Sequence, residues 1–302
     1  KPDFIFHLAA QSLVKEAYKD PLLTWQTNTL GTVSLLESLK SISNKCVSIF
    51  ITSDKCYENL EWDWGYREID RIGGIDPYSA SKGGAELAIS SYSKCFFNEG
   101  GIKVGIGRAG NVIGGGDWSP NRLVPDCMKS WSKDERVFIR NPDSTRPWQH
   151  VLEPLSGYLL LASRLYLNQE LRGEAFNFGP PASQNFNVMS VVKEMSKYWD
   201  KVKGDDLPSG VDWCIFDFAV NAGPSRAARN VQQFVGASID GVIGAKTINR
   251  ITQYPAGIKG VIETYTAQRS QFYRKLKTYN TFGKGWDRRT YKTREQAIEL
   301  LS

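Results

Sequence analysis

Val47-Ser48-Ile49-Phe50-Ile51 runs directly into Thr52-Ser53-Asp54-Lys55, so a short β-branched and aromatic stretch ends in two hydroxyls, a carboxylate and an ammonium. An apolar run of this length, bounded by polar residues, reads as a strand buried on both faces. The pattern continues outward on either side. Phe4 to Ala9 is short and apolar and stops at Gln11-Ser12. Val33, Leu35, Leu36 and Leu39 recur at helical spacing. Ser79 to Phe97, rich in alanine and small residues, reads as a helix, and Lys103-Val104-Gly105-Ile106-Gly107 as another strand. Strand, helix, strand, helix, strand in quick succession predicts a parallel sheet with helices on both faces. Gly114 to Arg146, rich in Gly, Pro, Asn and Asp, predicts a looser region.

Open parallel sheets bind ligands beyond the carboxyl ends of their strands. Ser53, Asp54 and Lys55 fall at such an end and could position a substrate and move protons. Alternatively, Ser53 and Asp54 simply cap a helix start. Tyr78-Ser79-Ala80-Ser81-Lys82 places a phenol and an ammonium four residues apart, on one helix face. A neighbouring cation favours phenolate, which would make Tyr78 a general base for a sugar or alcohol hydroxyl. The competing reading is an ordinary exposed helix face.

From Gly204 the texture changes. Val211 to Val220, Arg226 to Val235, Ile262 to Leu276 and Arg294 to Leu301 all fit helices, with glycine-rich turns at Gly241–Gly244 and Gly283–Gly285. Such a change of class predicts a boundary near residue 203, although Trp199-Asp200-Lys201-Val202-Lys203 meets Gly204-Asp205-Asp206 with no linker.

Hydrophobic residues make up 41% of the 302 and charged residues 23%, enough for a buried core. The net charge is +6, of which residues 1–203 carry +1 and residues 204–302 carry +5. A basic surface suits an anionic partner such as cell wall, or is simply solvated. None of the five cysteines forms a Cys-x-x-Cys pair, and His7 and His150 are the only histidines. Neither a zinc site nor a disulfide framework is expected, and free thiols fit a cytoplasmic location. The opening Lys1-Pro2-Asp3 leads straight into Phe4-Ile5-Phe6, which reads as a start inside a domain. No signal peptide, membrane span or nucleic-acid partner is expected.

Five stretches carry a family resemblance. They are His7-Leu8-Ala9-Ala10-Gln11, Thr52 to Tyr57, Tyr78 to Lys82, Arg108 to Trp118, and Arg146-Pro147-Trp148-Gln149-His150-Val151. In that order they resemble the nucleotide-sugar 4,6-dehydratases of the extended short-chain dehydrogenase/reductase family, most of all the branch that acts on CDP-glucose. The resemblance implies that Tyr78, with Ser53 and Lys82, takes the proton from the C4 hydroxyl as hydride passes to NAD. Water is then lost across C5 and C6, with Asp54 as the acid at the C6 hydroxyl and Lys55 near C5, and the hydride returns to C6. Leu8, Ala9 and Ala10 would join Tyr78 and Lys82 at the cofactor. Asn111, Arg122 and Arg146 would hold the phosphates of a CDP-sugar, a task for which the planar guanidinium is suited. The departure lies in the cofactor cradle. The family opens with a strand, a Gly-x-x-Gly-x-x-Gly turn and a helix that seats the pyrophosphate. Nothing here supplies that turn, and Gly114–Gly116 follow a different strand.

Residues 205–302 resemble phage-type N-acetylmuramidases of glycoside hydrolase family 108, in the carboxyl-terminal half with its peptidoglycan-binding region. Phe216 to Ala228, Asp240 to Thr247, and Phe282-Gly283-Lys284-Gly285-Trp286 carry the likeness. Glycoside hydrolysis needs a carboxylic acid at the scissile bond. In that family it lies in a Glu-Gly-Gly motif, and the second part has none. Glu99-Gly100-Gly101 belongs to the first part and fits a loop. Trp286 would offer a sugar-stacking platform. The sequence thus predicts an α/β, Rossmann-like parallel sheet without its first strands (1–203), followed by a mostly α fragment (204–302). Together they form two incomplete enzyme pieces, with NAD binding and turnover lost. The alternatives are an NAD-dependent enzyme converting CDP-glucose to CDP-4-keto-6-deoxyglucose, and a peptidoglycan-binding module.

Overall fold

The computed structural model describes residues 2–97, 99–114, 117, 119–131, 135–168 and 170–301. Gly115, Gly116 and Trp118 of the fourth motif stretch lie outside the described residues. The chain divides into two compact units, residues 1–114 with 145–186, and residues 115–144 with 187–302.

In the first unit, β1 (Phe4–His7) leads into α1 (Val14–Lys19), α2 (Pro21–Trp25), a π-helical turn (Gln26–Leu30) and α3 (Gly31–Lys40). Then follow β2 (Cys46–Ile51), a 3₁₀ turn (Asp54–Cys56), α4 (Pro77–Phe96), β3 (Ile102–Ala109) and β4 (Val112–Ile113). After α5 (Leu123–Trp131) of the second unit come β5 (Thr145–Arg146), β6 (Gln149–His150), α6 (Leu152–Leu167) and β7 (Ala175–Phe178).

The main sheet has the order β1-β2-β3-β7, and every pairing is parallel. Side chains of β2 alternate between two cores, as the period of a strand requires. Cys46 and Phe50 join Leu36, Leu39, Ile89 and Val104 under α3 and α4. Val47 and Ile49 join Leu161, Ala162 and Leu165 of α6. A strand buried on both faces reads as the near-continuous apolar run seen in the sequence, broken only by buried Ser48. Helix α4 begins sharply because the Asp76 carboxylate accepts the Tyr78 and Ser79 amides, each at 3.0 Å, and Pro77 occupies the first turn.

The second unit is helical, built from α5, α7 (Val188–Lys201), α8 (Val211–Ala222), α9 (Pro224–Val235), α10 (Ala245–Thr252), α11 (Gly257–Arg274) and α12 (Tyr279–Glu299). Two expectations are corrected here. The looser region 114–146 contains α5, whose Cys127 and Met128 are fully buried and whose Trp131 packs against Trp199 at 6.0 Å. Gly283–Gly285 is not a turn but part of α12, where the Tyr279 ring lies so close over Gly283 that a side chain there would collide with it. Residue 203, where a change of class was expected, falls inside this unit. Lys203 is left-handed there (φ 56°), and Gly204 passes directly against the Trp199 indole. No helix among the described residues is long and apolar enough to cross a membrane.

Candidate active site

Because β1, β2, β3 and β7 are parallel, their carboxyl ends lie on one edge of the sheet. Leu8, Ala9 and Ala10 follow β1, with Leu8 and Ala9 exposed and Ala10 half-buried. Thr52 to Lys55 follow β2, and Gly110-Asn111 follow β3. Ser53 does cap the short turn, its hydroxyl accepting the Lys55 amide at 3.2 Å, but it also donates to Asp54 Oδ1 at 3.0 Å. Lys55 Nζ reaches the same carboxylate oxygen at 2.9 Å and Asn111 Oδ1 at 3.5 Å. Ser53, Asp54, Lys55 and Asn111 thus form one hydrogen-bonded chain across the ends of β2 and β3. Asp54 and Lys55 stay partly open to solvent, with side chains 29% and 36% exposed.

Tyr78 and Lys82 are both buried on α4, one turn apart. Lys82 Nζ donates to the Ile51 carbonyl at 3.3 Å, just ahead of Thr52-Ser53. Burial pulls the Lys82 ammonium down to about 8, against the opposing charge of Glu86. His7, at the end of β1, donates to or accepts from Thr32 Oγ1 at 3.3 Å. Burial, and then the Lys82 charge, lower its pKa.

Not every expected site residue joins this chain. Arg146 sits in β5, and its guanidinium donates to the Thr145 carbonyl at 2.6 Å. Arg122 belongs to the second unit, where its Nε lies 3.7 Å from the Asp117 carboxylate. In the same unit Trp286 is half-buried and stacks on Tyr273, with ring centroids 5.1 Å apart.

Other residues at the site carry no mark in the sequence. Asn28, in the π-helical turn, donates to Ser81 Oγ at 2.9 Å and to the Gln11 carbonyl at 3.0 Å, while its Oδ1 accepts the Gln11 amide at 2.8 Å. Ser81 Oγ in turn donates to the Tyr78 carbonyl at 2.7 Å. Single π turns inside helices often mark functional sites, and this one aims an amide at the Tyr78 turn. Glu86 and Arg108 pair beneath Thr52. An i+4 spacing from Lys82 was the one available signal for Glu86.

A Rossmann-like parallel sheet with this set of hydroxyls, carboxylate and ammoniums at its carboxyl edge defines a unit of the nucleotide-sugar dehydratase type. The chain belongs to the GDP-mannose 4,6 dehydratase family, whose sequence model matches residues 1–177. Residues 188–223 match glycosyl hydrolase 108, so two families meet in one chain. CDP-glucose 4,6-dehydratase of Salmonella typhimurium is 50% identical over 211 residues, covering 68% of this chain. The match spans 58% of that relative, less than two thirds of its length. Among solved structures, RMD from Pseudomonas aeruginosa complexed with NADPH is 25% identical, covers 65% of each chain and superposes with a TM-score of 0.56. The dTDP-glucose 4,6-dehydratase DesIV from Streptomyces venezuelae, with NAD bound, shares the fold at 20% identity and a TM-score of 0.55, over 66% of this chain and 57% of its own.

Proposed function

We propose that the first unit carries the proton-handling residues of a nucleotide-sugar 4,6-dehydratase whose substrate is CDP-glucose. The observation that carries this reading is the Ser53–Asp54–Lys55–Asn111 chain beside buried Lys82, in a segment half identical to a CDP-glucose 4,6-dehydratase. Tyr78 accepts the proton of the C4 hydroxyl, and Ser53 and Lys82 orient and charge-stabilise it. Asp54, protonated by transfer from the Lys55 ammonium bonded to it, gives that proton to the C6 hydroxyl, which leaves as water, while the freed Lys55 amine takes the proton from C5. Lys55 holds the Asp54 carboxylate in place. Asn111 and Arg146 grip the diphosphate.

A nicotinamide cofactor, when bound, supplies the hydride acceptor that oxidation at C4 requires. Tyr78, Lys82 and the residues after β1, exposed Leu8 and Ala9 and half-buried Ala10, suit its nicotinamide end. The pyrophosphate finds no matching cradle among the described residues. The first glycine of these 302 residues is Gly31, and the helix after β1 begins at Val14, its N-cap Leu13 making no side-chain cap. These 302 residues on their own are therefore expected to hold NAD poorly and to give no turnover. The glycosyl hydrolase 108 match and the +5 charge of residues 204–302 favour a second, lesser reading, weak binding of peptidoglycan by the second unit.

Binding of CDP-glucose tests the main reading without requiring turnover. Calorimetric titration of the chain with CDP-glucose should show binding that Asn111→Ala and Arg146→Ala each weaken about tenfold or more, the cost of a hydrogen bond to a charged group. Equal affinity in all three proteins would count against the site.

A further inference from the structure

We propose that Glu86 is the positioning residue of this site, one buried carboxylate that ties the Tyr78–Lys82 helix both to the Ser53-bearing strand end and to β3. Glu86 is 3% exposed and lies one turn beyond Lys82 on α4. Its Oε1 accepts the Thr52 hydroxyl and Arg108 Nε, the latter at 2.9 Å, and its Oε2 accepts the second guanidinium nitrogen, also at 2.9 Å. A two-pronged guanidinium grip fixes the plane of a carboxylate as well as its position. Arg108, equally buried, extends the tie. It donates to the Tyr57 hydroxyl at 2.7 Å and the Glu68 carbonyl at 2.9 Å, and Tyr57 donates to Asn177 Oδ1 on β7 at 2.7 Å. Thr52 is also held by its own amide, which donates to the Gly107 carbonyl at 2.9 Å. The spacing between Ser53, next in chain to Thr52, and Lys82, one turn before Glu86, therefore runs through this carboxylate.

The same group acts on Lys82 by charge. Burial drives the buried ammonium toward neutrality, and Glu86 is the main group that opposes it. Besides Tyr78, one turn back on α4, two titratable groups from other elements face Lys82. Cys56, from the turn after β2, has its thiol pushed up by burial, and His7, from β1, is itself held down by burial and by Lys82. Neither carries a negative charge near neutral pH, so Glu86 decides how long Lys82 remains an ammonium.

The importance of Lys82 rests on the dehydratase reading, but the test does not. Lysine side-chain NMR of the full chain, with Lys82 identified by its loss in Lys82→Arg, gives its titration midpoint. The expected value is about 8, falling by about 1 unit or more in Glu86→Gln. A purely structural prop would leave that midpoint where it is, and an unchanged midpoint in folded Glu86→Gln overturns the proposal. Should the lone Arg108 charge unfold that variant, Glu86→Gln/Arg108→Met removes both charges together. A smaller fall in the same direction is expected there, because the Arg108 cation that offsets Glu86 is removed with it, and its absence again overturns the proposal. Failure of CDP-glucose to bind would strike the dehydratase reading and leave this outcome untouched.

Discussion

Asp217→Asn should destabilise the second unit by about 3–5 kcal/mol, measured by urea unfolding followed by circular dichroism. Asp217 lies on α8 and is gripped by two arginines. Arg289 reaches Oδ1 at 2.6 Å, and the fully buried Arg269 of α11 reaches Oδ2 at 2.6 Å. Thr293 Oγ1 adds a contact at 3.3 Å. The cost arises chiefly because Arg269 would be left as a buried cation without its counter-charge. Burial alone would push the Asp217 carboxyl up, but Arg269 and Arg289 outweigh it and hold it down at about 2. A depressed carboxyl contributes its stability fully above its unfolded value of 3.8 and loses it as the pH falls through about 2. The gap between Asp217→Asn and the parent protein should therefore be constant above about pH 5 and close as the pH drops from about 4 toward 2. A gap that widened in acid would contradict this account.

In the first unit, Arg108→Met should cost about 3–5 kcal/mol on the same assay, because it strands the Glu86 carboxylate inside the protein. The double variant Glu86→Gln/Arg108→Met should recover most of that loss, since replacing both partners removes the unpaired charge along with the pair. Additive losses in the double variant would mean that the two residues are not coupled, and would remove the physical basis for the tie between α4 and β3.

Those two ionic clusters were invisible in the sequence, whereas the sheet was not. β2 and β3 announce themselves because a strand covered on both faces is near-continuously apolar, and Val47 to Ile51, interrupted only by buried Ser48, and Val104 to Gly107 are short runs of that kind. The Ser53-Asp54-Lys55 cluster was legible for a related reason, since parallel topology places whatever follows a strand at the ligand edge. The pairing of Glu86 with Arg108 escaped notice because each, read locally, is an ordinary charged residue. Their meaning comes from a partner on another element. Asn28 escaped because a π turn leaves no sequence mark.

Helix α5 was missed because Pro125 and its Gly- and Asn-rich surroundings resemble a loop. What makes it a helix is the burial of Cys127 and Met128 and the packing of Trp131 on Trp199, contacts that form only in the folded unit. Gly283 and Gly285 misled in the opposite direction. Glycine usually breaks helices, but in α12 the lack of a side chain at Gly283 gives room for the Tyr279 ring.

The account turns on a split: the residues proposed to move protons are present, and the glycine-lined seat for a dinucleotide pyrophosphate is not found among these 302 residues. Incubating the purified chain with NAD and CDP-glucose, and following keto-sugar formation by its absorbance in alkali, tests that split directly. No product above the Tyr78→Phe control is the predicted result. Steady product formation that disappears in Tyr78→Phe would show that the dinucleotide is held by some other means, and would contradict the account.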